Sequence, residues 1–413
     1  MLRDHDLVCL SITPWETALP SSGHYLMREF ASHNRVLWVD HPATLKDGWT
    51  YRRDPAWRDR LKRTWGRLPA LRRVPDPQRE VWVLTPPPMV PSGLPRPLYD
   101  WGLAAAASLT RRSILKAMRQ LGMRDPILWV SFDVPLGERL AGKLGERMTV
   151  YHCFDEIKGE PYIARHGERL EPRLMAKSQV VFTSSPALQA TRGATHPDCH
   201  YVPNGVEYAH YARACDPREP VPPDLSRLPS PVIGYLGNLE ARFDYDLIVA
   251  CAAARPDWSW VLIGPVQPAY AACAEVLKRL PNIHLLGPRP ASSAPGYLKG
   301  FDVGIIPFVS SAQTRAIYPL KLNEYLAAGL PVVMTPFAPL DPFAGTCWVA
   351  EGQAAFLAAI AQALAARSSE YREARMALAR ENDWSARALA MGRILVPRLI
   401  AQNARMLSGG TPR

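Results

Sequence analysis

The sequence predicts an α/β protein of two Rossmann-like, doubly wound parallel sheets that face one another across an interdomain cleft. Three observations predict it. Short apolar runs of strand length alternate with longer helical patterns almost from end to end, the signature of parallel sheets covered by helices on both faces. The chain has 413 residues and is 47% hydrophobic, enough for two cores of about 150 to 200 residues each. Near its middle, a stretch from Asp216 to Pro231 is too rich in proline for either regular element and reads as a crossing between domains.

In the first half, strands are expected at Leu7 to Ile12, Val36 to Val39, Val81 to Leu84, Ile127 to Phe132, Thr149 to His152, Val180 to Thr183 and His200 to Val202. Helices are expected between them at Gly23 to Ser32, Trp101 to Leu121, Pro135 to Leu144, Ile163 to Lys177 and Pro186 to Arg192. In the second half, strands are expected at Val232 to Leu236, Trp260 to Ile263, Ile283 to Leu286, Val303 to Pro307, Val332 to Thr335 and Cys347 to Val349. Its clearest helices are Asp244 to Ala254, Ala269 to Leu280, Pro319 to Ala328 and Gln353 to Ala366. These patterns predict an N-terminal domain over 1–206, a linker over 207–230, a C-terminal domain over 231–384, and a final helix over 385–413 that packs back on the first domain.

The net charge of +11 is uneven. Residues 1–206 hold 29 Lys/Arg against 21 Asp/Glu, and the remainder 20 against 17. Much of the excess lies in an expected insertion over 46–80, where Lys46, Arg52, Arg53, Arg58, Arg60, Lys62, Arg63, Arg67, Arg72 and Arg73 are interleaved with Trp49, Tyr51, Trp57, Leu61 and Trp65. Two readings stand side by side: peripheral contact with an anionic membrane, or a solvated insertion whose aromatics cover the domain. No nucleic-acid-binding motif accompanies the charge, and nucleic acid is not an expected partner.

Seven scattered cysteines include no Cys-x-x-Cys pair, which fits a reducing cytoplasm. Asp4, His5 and Asp6 stand where an export signal needs a basic start, and no apolar run approaches about 18 residues. The expectation is a cytoplasmic chain without a membrane span, with the inner face of the cell membrane as its peripheral site if the basic insertion binds lipid.

The stretch most informative about chemistry runs from Thr314 to Val333. It reads as a helix opened by Pro319 and closed by Gly329, followed by a buried strand. The amides of Leu320 and Lys321 at its start have no helical partners and suit an anion such as a diphosphate, to which Arg315 adds charge. Glu324, further along an otherwise apolar helix, is suited to accept hydrogen bonds from the two hydroxyls of a ribose. The loop Gly237 to Asp244 follows the first strand of the second domain: small Gly237 and neighbouring Asn238 let a ligand approach the backbone, and Arg242 offers a guanidinium fork for phosphate. In the first domain, His152 and Asp155 stand at a strand end and are candidate catalytic groups near the reacting sugar; a structural, hydrogen-bonded His152 is the competing reading. Ser21 to His24 opens a helix where acceptor or phosphate could dock, or where Ser22 is simply a cap. Asp244-Tyr245-Asp246 formally matches an Asp-x-Asp metal motif, but Asp244 stands where a helix cap belongs. His196, Asp198 and His200 are spaced as a turn entering a strand rather than as a metal site.

The run from Pro319 to Val333 resembles the donor-site signature of the retaining GT4 family of glycosyltransferases, whose fold is GT-B, and in particular its TuaH-like branch. Collinear segments agree: Asn34 to Asp40, Tyr151 to Glu156, Val181 to Ser185, Val202 to Val206, Ile233 to Asn238 and Leu262 to Pro265. The resemblance implies a metal-independent hexosyltransferase with no tightly bound cofactor and no metal, using a nucleotide diphosphate sugar, by default a UDP-sugar. It implies diphosphate binding by Arg242, ribose binding by Glu324, a donor-sugar contact at His152, and front-face substitution with retention. The acceptor is expected to be a saccharide or lipid-linked group in cell-surface polysaccharide or glycoconjugate synthesis. There are departures. The family places two glutamates eight positions apart, and Ala316 stands where the first belongs; Arg315 or Lys321 then takes over part of that contact. The branch also more often carries Asp where His152 stands. A non-hydrolysing sugar-nucleotide epimerase and a non-catalytic nucleotide-sugar-binding protein are the alternatives.

Overall fold

A computed structural model describes residues 2–407 apart from 18, 19, 52–54, 77, 78, 161, 162, 312, 339–342, 344 and 367. Arg52 and Arg53 of the basic insertion thus lie outside the described residues. The chain forms two compact units, one of residues 1–203 with 384–413 and one of residues 204–383.

The first unit holds an eight-stranded sheet of β1 (Asp6–Ser11), β2 (Arg35–Asp40), β3 (Leu71–Arg73), β4 (Val81–Leu84), β5 (Ile127–Ser131), β6 (Met148–Cys153), β7 (Val180–Thr183) and β8 (Cys199–Tyr201). The spatial order is β3-β4-β2-β1-β5-β6-β7-β8, and only the β3–β4 pair is antiparallel. Strands such as β2, β5 and β6 are apolar along their length because helices cover both faces of such a sheet. The helices are α1 (Ser22–Ala31), α2 (Leu45–Thr50), α3 (Pro55–Thr64), α4 (Arg96–Leu121), α5 (Val134–Leu140), α6 (Ala164–Lys177) and α7 (Pro186–Gly193). The short edge strand β3 and the helices α2 and α3 lie in the basic insertion, which carries no clear periodicity in sequence.

The second unit contains α8 (Tyr208–Tyr211), α9 (Pro223–Ser226), β9 (Val232–Leu236), α10 (Tyr245–Ala254), β10 (Ser259–Ile263), α11 (Ala271–Leu277), β11 (Ile283–Gly287), α12 (Ala294–Lys299), β12 (Val303–Ile306), α13 (Leu320–Ala327), β13 (Val332–Met334), β14 (Trp348–Val349), α14 (Gln353–Ala365) and α15 (Ser369–Glu381). Its six-stranded sheet is parallel throughout, in the order β11-β10-β9-β12-β13-β14. Strand order reverses on either side of β9, so the carboxyl ends of β9 and β12 form the switch point at which doubly wound sheets take ligands.

Residues 207–230, expected as a linker, are not an open tether. Helix α8 packs on α13, and the 3-10 turn Ala212–Cys215 packs on α12. Lys299 Nζ donates to the carbonyls of Asp216, Pro217 and Glu219 at 2.7, 3.0 and 2.7 Å, so the segment is held into the second unit. Proline removes backbone donors but leaves carbonyls free to be held in this way.

The chain then returns to the first unit as α16 (Trp384–Leu407), which packs on α1. Trp384 stacks on Tyr25 at 5.2 Å between centroids, and Arg398 pairs with Asp198.

Candidate functional site

At the switch point of the second sheet, the end of β9 turns sharply through Gly237. The Gly237 N–H donates to the Ile263 carbonyl at 2.8 Å, and the Tyr235 hydroxyl donates to the Asn238 carbonyl at 2.9 Å. A Cβ at Gly264 would stand 2.0 Å from the Gly237 carbonyl oxygen, so a glycine is required after β10 for the β9 turn to pass. A Cβ at Gly237 itself would stand 2.0 Å from Lys321 Cε and 2.5 Å from its Nζ. Gly237 therefore leaves room for one group, the Lys321 ammonium, which also lies 5.7 Å from the centre of the Tyr235 ring.

Lys321 is on the first turn of α13. Pro319 occupies the N-cap position, one residue earlier than the expected first helical position, and is extended at φ −74° and ψ 114°. The first amides of a helix have no partners within it, so those of Leu320 and Lys321 mark the positive end of α13 beside the β9 turn. Gly329, with φ at +72°, closes the helix: its N–H donates to Leu326, and that of Leu330 donates to Tyr325. The Tyr325 oxygen accepts the Leu236 N–H at 2.8 Å, tying α13 to the end of β9.

Glu324 lies one turn after Lys321 and is partly buried. Burial pushes its carboxyl above the usual carboxylate range, against the Lys321 charge and a hydrogen bond from Tyr211. Burial likewise lowers the Lys321 ammonium below the usual lysine range, opposed by Glu324. An arriving anion would favour the charged form of Lys321.

Arg242 is reached through the loop after Gly237. Its guanidinium pairs with Glu240, whose other oxygen accepts from Gln267 at 2.9 Å. The Arg242 carbonyl accepts the Val309 N–H at 2.8 Å, which places the loop across the end of β12. Asp244 is the N-cap of α10, accepting the Leu247 N–H at 2.9 Å, so its carboxylate has the capping role its position predicts. Arg315 is exposed on the 3-10 turn Thr314–Ala316, with the Ser310 hydroxyl at 3.5 Å.

Gly237, Asn238, Arg242, Lys321 and Glu324 are thus carried by the β9 turn and α13, and Arg315 by the segment leading into α13. His152 and Asp155 belong to the first unit. His152 ends β6 at 1% exposure, edge-on to Trp129 and Phe154 at 5.8 and 5.5 Å. Its Nδ1 has no hydrogen-bond partner among the described residues, and burial pushes the imidazole down to about 3. Asp155 accepts the Glu156 N–H at 2.7 Å. Glu156 is gripped by Arg192 at 2.8 and 3.0 Å, which holds its carboxyl below the usual range. Arg192 also meets Glu171 at 3.1 Å, which fixes the segment after β6 to α6 and α7. His196 and His200 are engaged by the Ser178 carbonyl and by Asp198, at 3.0 and 2.5 Å. Among the described residues, no group of three or more His, Cys, Asp and Glu could hold a metal ion.

Sequence reasoning missed Tyr211 and Tyr235. Tyr208 and Tyr211 are spaced at i and i+3, the trace of one helical turn just before the proline-rich stretch. That spacing was the available signal for Tyr211. Tyr235 reads as an ordinary strand residue.

Residues 230–370 match the profile of the family described as Glycosyl transferases group 1. This segment is about a third of the chain and lies in the second unit. The chain is also 32% identical over 191 residues to the putative teichuronic acid biosynthesis glycosyltransferase TuaH of Bacillus subtilis (strain 168). That alignment covers 45% of this chain and 48% of TuaH, so the likeness spans about half of the relative's length. Among solved structures, sucrose-phosphate synthase from Thermosynechococcus elongatus aligns with a TM-score of 0.65 at 16% identity, over 96% of this chain and 99% of that one. Anabaena HepE, in complex with UDP and glucose, aligns with a TM-score of 0.64 at 14% identity over 94% and 98% of the two chains. OtsA in its apo form aligns with a TM-score of 0.67 at 12% identity, over 94% and 99%. The chain therefore has the GT-B fold, and the family match lies in its second unit.

Proposed function

We propose that this group 1 glycosyl transferase chain moves a hexosyl group from a UDP-sugar to a saccharide or lipid-linked acceptor in cell-surface polysaccharide or glycoconjugate synthesis, with retention of configuration. The observation that carries the reading is the pairing of a partly buried ammonium and a partly buried carboxylate, Lys321 and Glu324, on the opening turns of α13 beside the Gly237 turn. A buried cation at a helix start suits a diphosphate, and a carboxylate one turn further suits vicinal hydroxyls. The UDP bound in HepE supports the choice of nucleotide.

In this reading the amides of Leu320 and Lys321, the Lys321 ammonium, Arg242 and Arg315 hold the diphosphate, and Glu324 holds the ribose. Gly237 and Asn238 give the donor access to the backbone. The bond from the anomeric carbon to the phosphate oxygen breaks, with its electron pair passing to the diphosphate. The acceptor oxygen bonds to the anomeric carbon on the same face, and its proton passes to the departing phosphate. Guanidinium, ammonium and amide donors neutralise that leaving charge, so the scheme needs no metal. His152 and Asp155 are assigned to the sugar and acceptor side. Peripheral contact with the inner face of a cell membrane would bring a lipid-linked acceptor to the enzyme.

The test is turnover. UDP-sugars incubated with the chain and a pool of saccharide and lipid-linked acceptors should release UDP, and Lys321→Ala should lower the rate by roughly a hundredfold if it neutralises the leaving group. Equal rates in parent and variant would exclude this role of Lys321.

A further inference from the structure

The outer stripe of α4 is built unlike that of a solvated helix. Its inner face buries Tyr99, Leu103, Ala106, Thr110, Ile114 and Met118, and the helix packs on α5. At strict three- and four-residue spacing, the outward positions are Leu98, Trp101, Ala105, Leu109, Arg112, Lys116 and Arg119, all exposed. The first half of this stripe is apolar, the second half is basic, and none of its residues is acidic. Trp101 is 81% exposed, a degree at which an indole is not serving the fold.

A second element of the same unit repeats this composition. In the hairpin of α2 and α3, Tyr51 stacks on Trp57 at 4.4 Å and Arg60 lies over Trp57 at 4.3 Å, so those groups pack internally. Trp49 and Trp65 are 72% and 50% exposed. The basic Lys46 and Arg58 are exposed as well, and the exposed carboxylate of Asp59 is paired with Arg58 and Lys62.

The two elements share an anchor. Thr44, the N-cap of α2, forms a bridge with Met89, whose N–H donates to the Ala43 carbonyl at 3.0 Å. The adjacent Val90 packs on α4, where a Cβ at Gly102 would meet it at 2.4 Å. Trp49 and Trp101 therefore flank a single segment, the one leaving the carboxyl end of β4. Ligands of a doubly wound sheet bind beyond its carboxyl ends.

The geometry points to a bilayer-docking face formed by α2, α3 and the outward stripe of α4, with anionic phospholipid as its partner. Indole rings at the headgroup boundary, flanked by exposed cations, complement an anionic interface. No helix among the described residues is long and apolar enough to cross a membrane, so the contact is one of surface residues. One end of the face lies by the segment leaving the carboxyl end of β4, where a lipid-linked acceptor would present its head, and α4 runs from there to the opposite edge, where Arg35 at the start of β2 donates to the Leu121 carbonyl at 2.9 Å. The inference rests on the proposed function only for that acceptor, because lipid binding is read apart from sugar transfer.

The full chain is floated with vesicles of phosphatidylcholine alone and with about 30 mol% phosphatidylglycerol at about 0.15 M salt. The expected result is flotation with the anionic vesicles, weakened by salt. A Leu98→Ser/Trp49→Ser/Trp101→Ser variant should lose about tenfold in bound fraction, and Arg112→Glu/Lys116→Glu should lose a comparable share. All are exposed positions, and unchanged thermal unfolding and UDP affinity would show the variants to be intact. Quenching of the parent's tryptophan emission by brominated lipid reads the same contact without mutation. A parent that stays off anionic vesicles, or a triple variant that floats as the parent does, overturns the inference. So does a parent dimer that the triple variant dissociates while neither binds lipid, because the face is then an interface between copies. Vesicle binding without UDP binding would leave this face standing and remove the donor site.

Discussion

The Tyr211 hydroxyl hydrogen-bonds the Glu324 carboxylate, joining a one-turn helix at the start of the second unit to the helix proposed to hold the donor. In the proposed reading Tyr211 is a positioning residue: it fixes one carboxylate oxygen while the other faces the ribose. Tyr211→Phe should weaken UDP binding by about 1 kcal/mol, roughly fivefold, and have no further effect in a Glu324→Ala background. Isothermal titration of the double-mutant cycle measures this. Tighter UDP binding by Tyr211→Phe would mean that the tyrosine competes with the ribose instead. The acid limb gives a second readout. Lys321 and Tyr211 both favour ionised Glu324, as does His210, while Glu207 opposes it. Losing the tyrosine should move the loss of UDP binding on acidification to higher pH.

Two glycine substitutions at the same turn should separate binding from folding. Gly237→Ala puts a methyl group into the space of the Lys321 ammonium, which the flexible lysine can vacate. UDP affinity should drop about tenfold, with some loss of stability because φ at +159° is strained for alanine, but less than at Gly264, where the obstacle is backbone. Gly264→Ala meets a backbone carbonyl at 2.0 Å with φ at +146°, where nothing can yield cheaply, and should cost about 2 kcal/mol or more in unfolding free energy. Denaturant melts alongside titration distinguish the two.

Much of this arrangement is legible before any coordinates. The apolar runs Val81–Leu84, Val180–Thr183 and Val232–Leu236 coincide with β4, β7 and β9, because strands buried on both faces have no polar positions to blur them. Gly329 is identifiable as a helix stop by its residue type alone. What sequence could not supply was tertiary. Edge strand β3 is three residues long, and α2 and α3 are defined by stacking between Tyr51 and Trp57, not by periodicity. Helix α8 is a single turn, too short for a sustained periodic pattern, and its stability comes from packing on α13. In the site, Lys321 and Glu324 could be placed on one helix, but the pairing of Arg242 with Glu240 and the burial of His152 depend on neighbours that periodicity does not reveal.

Buried histidines should give the first unit an acid-labile fold. His24 and His152 are pushed down to about 4 and about 3, chiefly by burial. Their folded values lie below the unfolded one near 6.5, so the folded form resists protonation and stability falls as pH drops from about 6.5 toward those values. Each contributes a slope of up to about 1.4 kcal/mol per pH unit in that window. Thermal unfolding between pH 7 and about 4.5 should show a marked loss, with a shallower slope in His152→Leu. An unchanged slope in that variant would count against a neutral buried imidazole.

The capping role of Asp244 separates it from metal chemistry. Asp244→Ala should cost about 1 kcal/mol of stability through loss of the α10 cap. UDP binding should be equal in EDTA and in excess manganese, for parent and variant alike. A manganese-dependent affinity lost in Asp244→Ala would assign the Asp244-Tyr245-Asp246 run to a cation.

The measurement closest to the central claim is calorimetric titration of UDP into the parent, Lys321→Ala and Glu324→Ala. Removing the ammonium should weaken binding of both UDP and 2′,3′-dideoxy-UDP, by about tenfold or more. Removing the carboxylate should weaken UDP while leaving the dideoxy form, which has no hydroxyls to offer, nearly as it was. Undiminished UDP affinity in both variants would place the nucleotide somewhere other than the opening turns of α13.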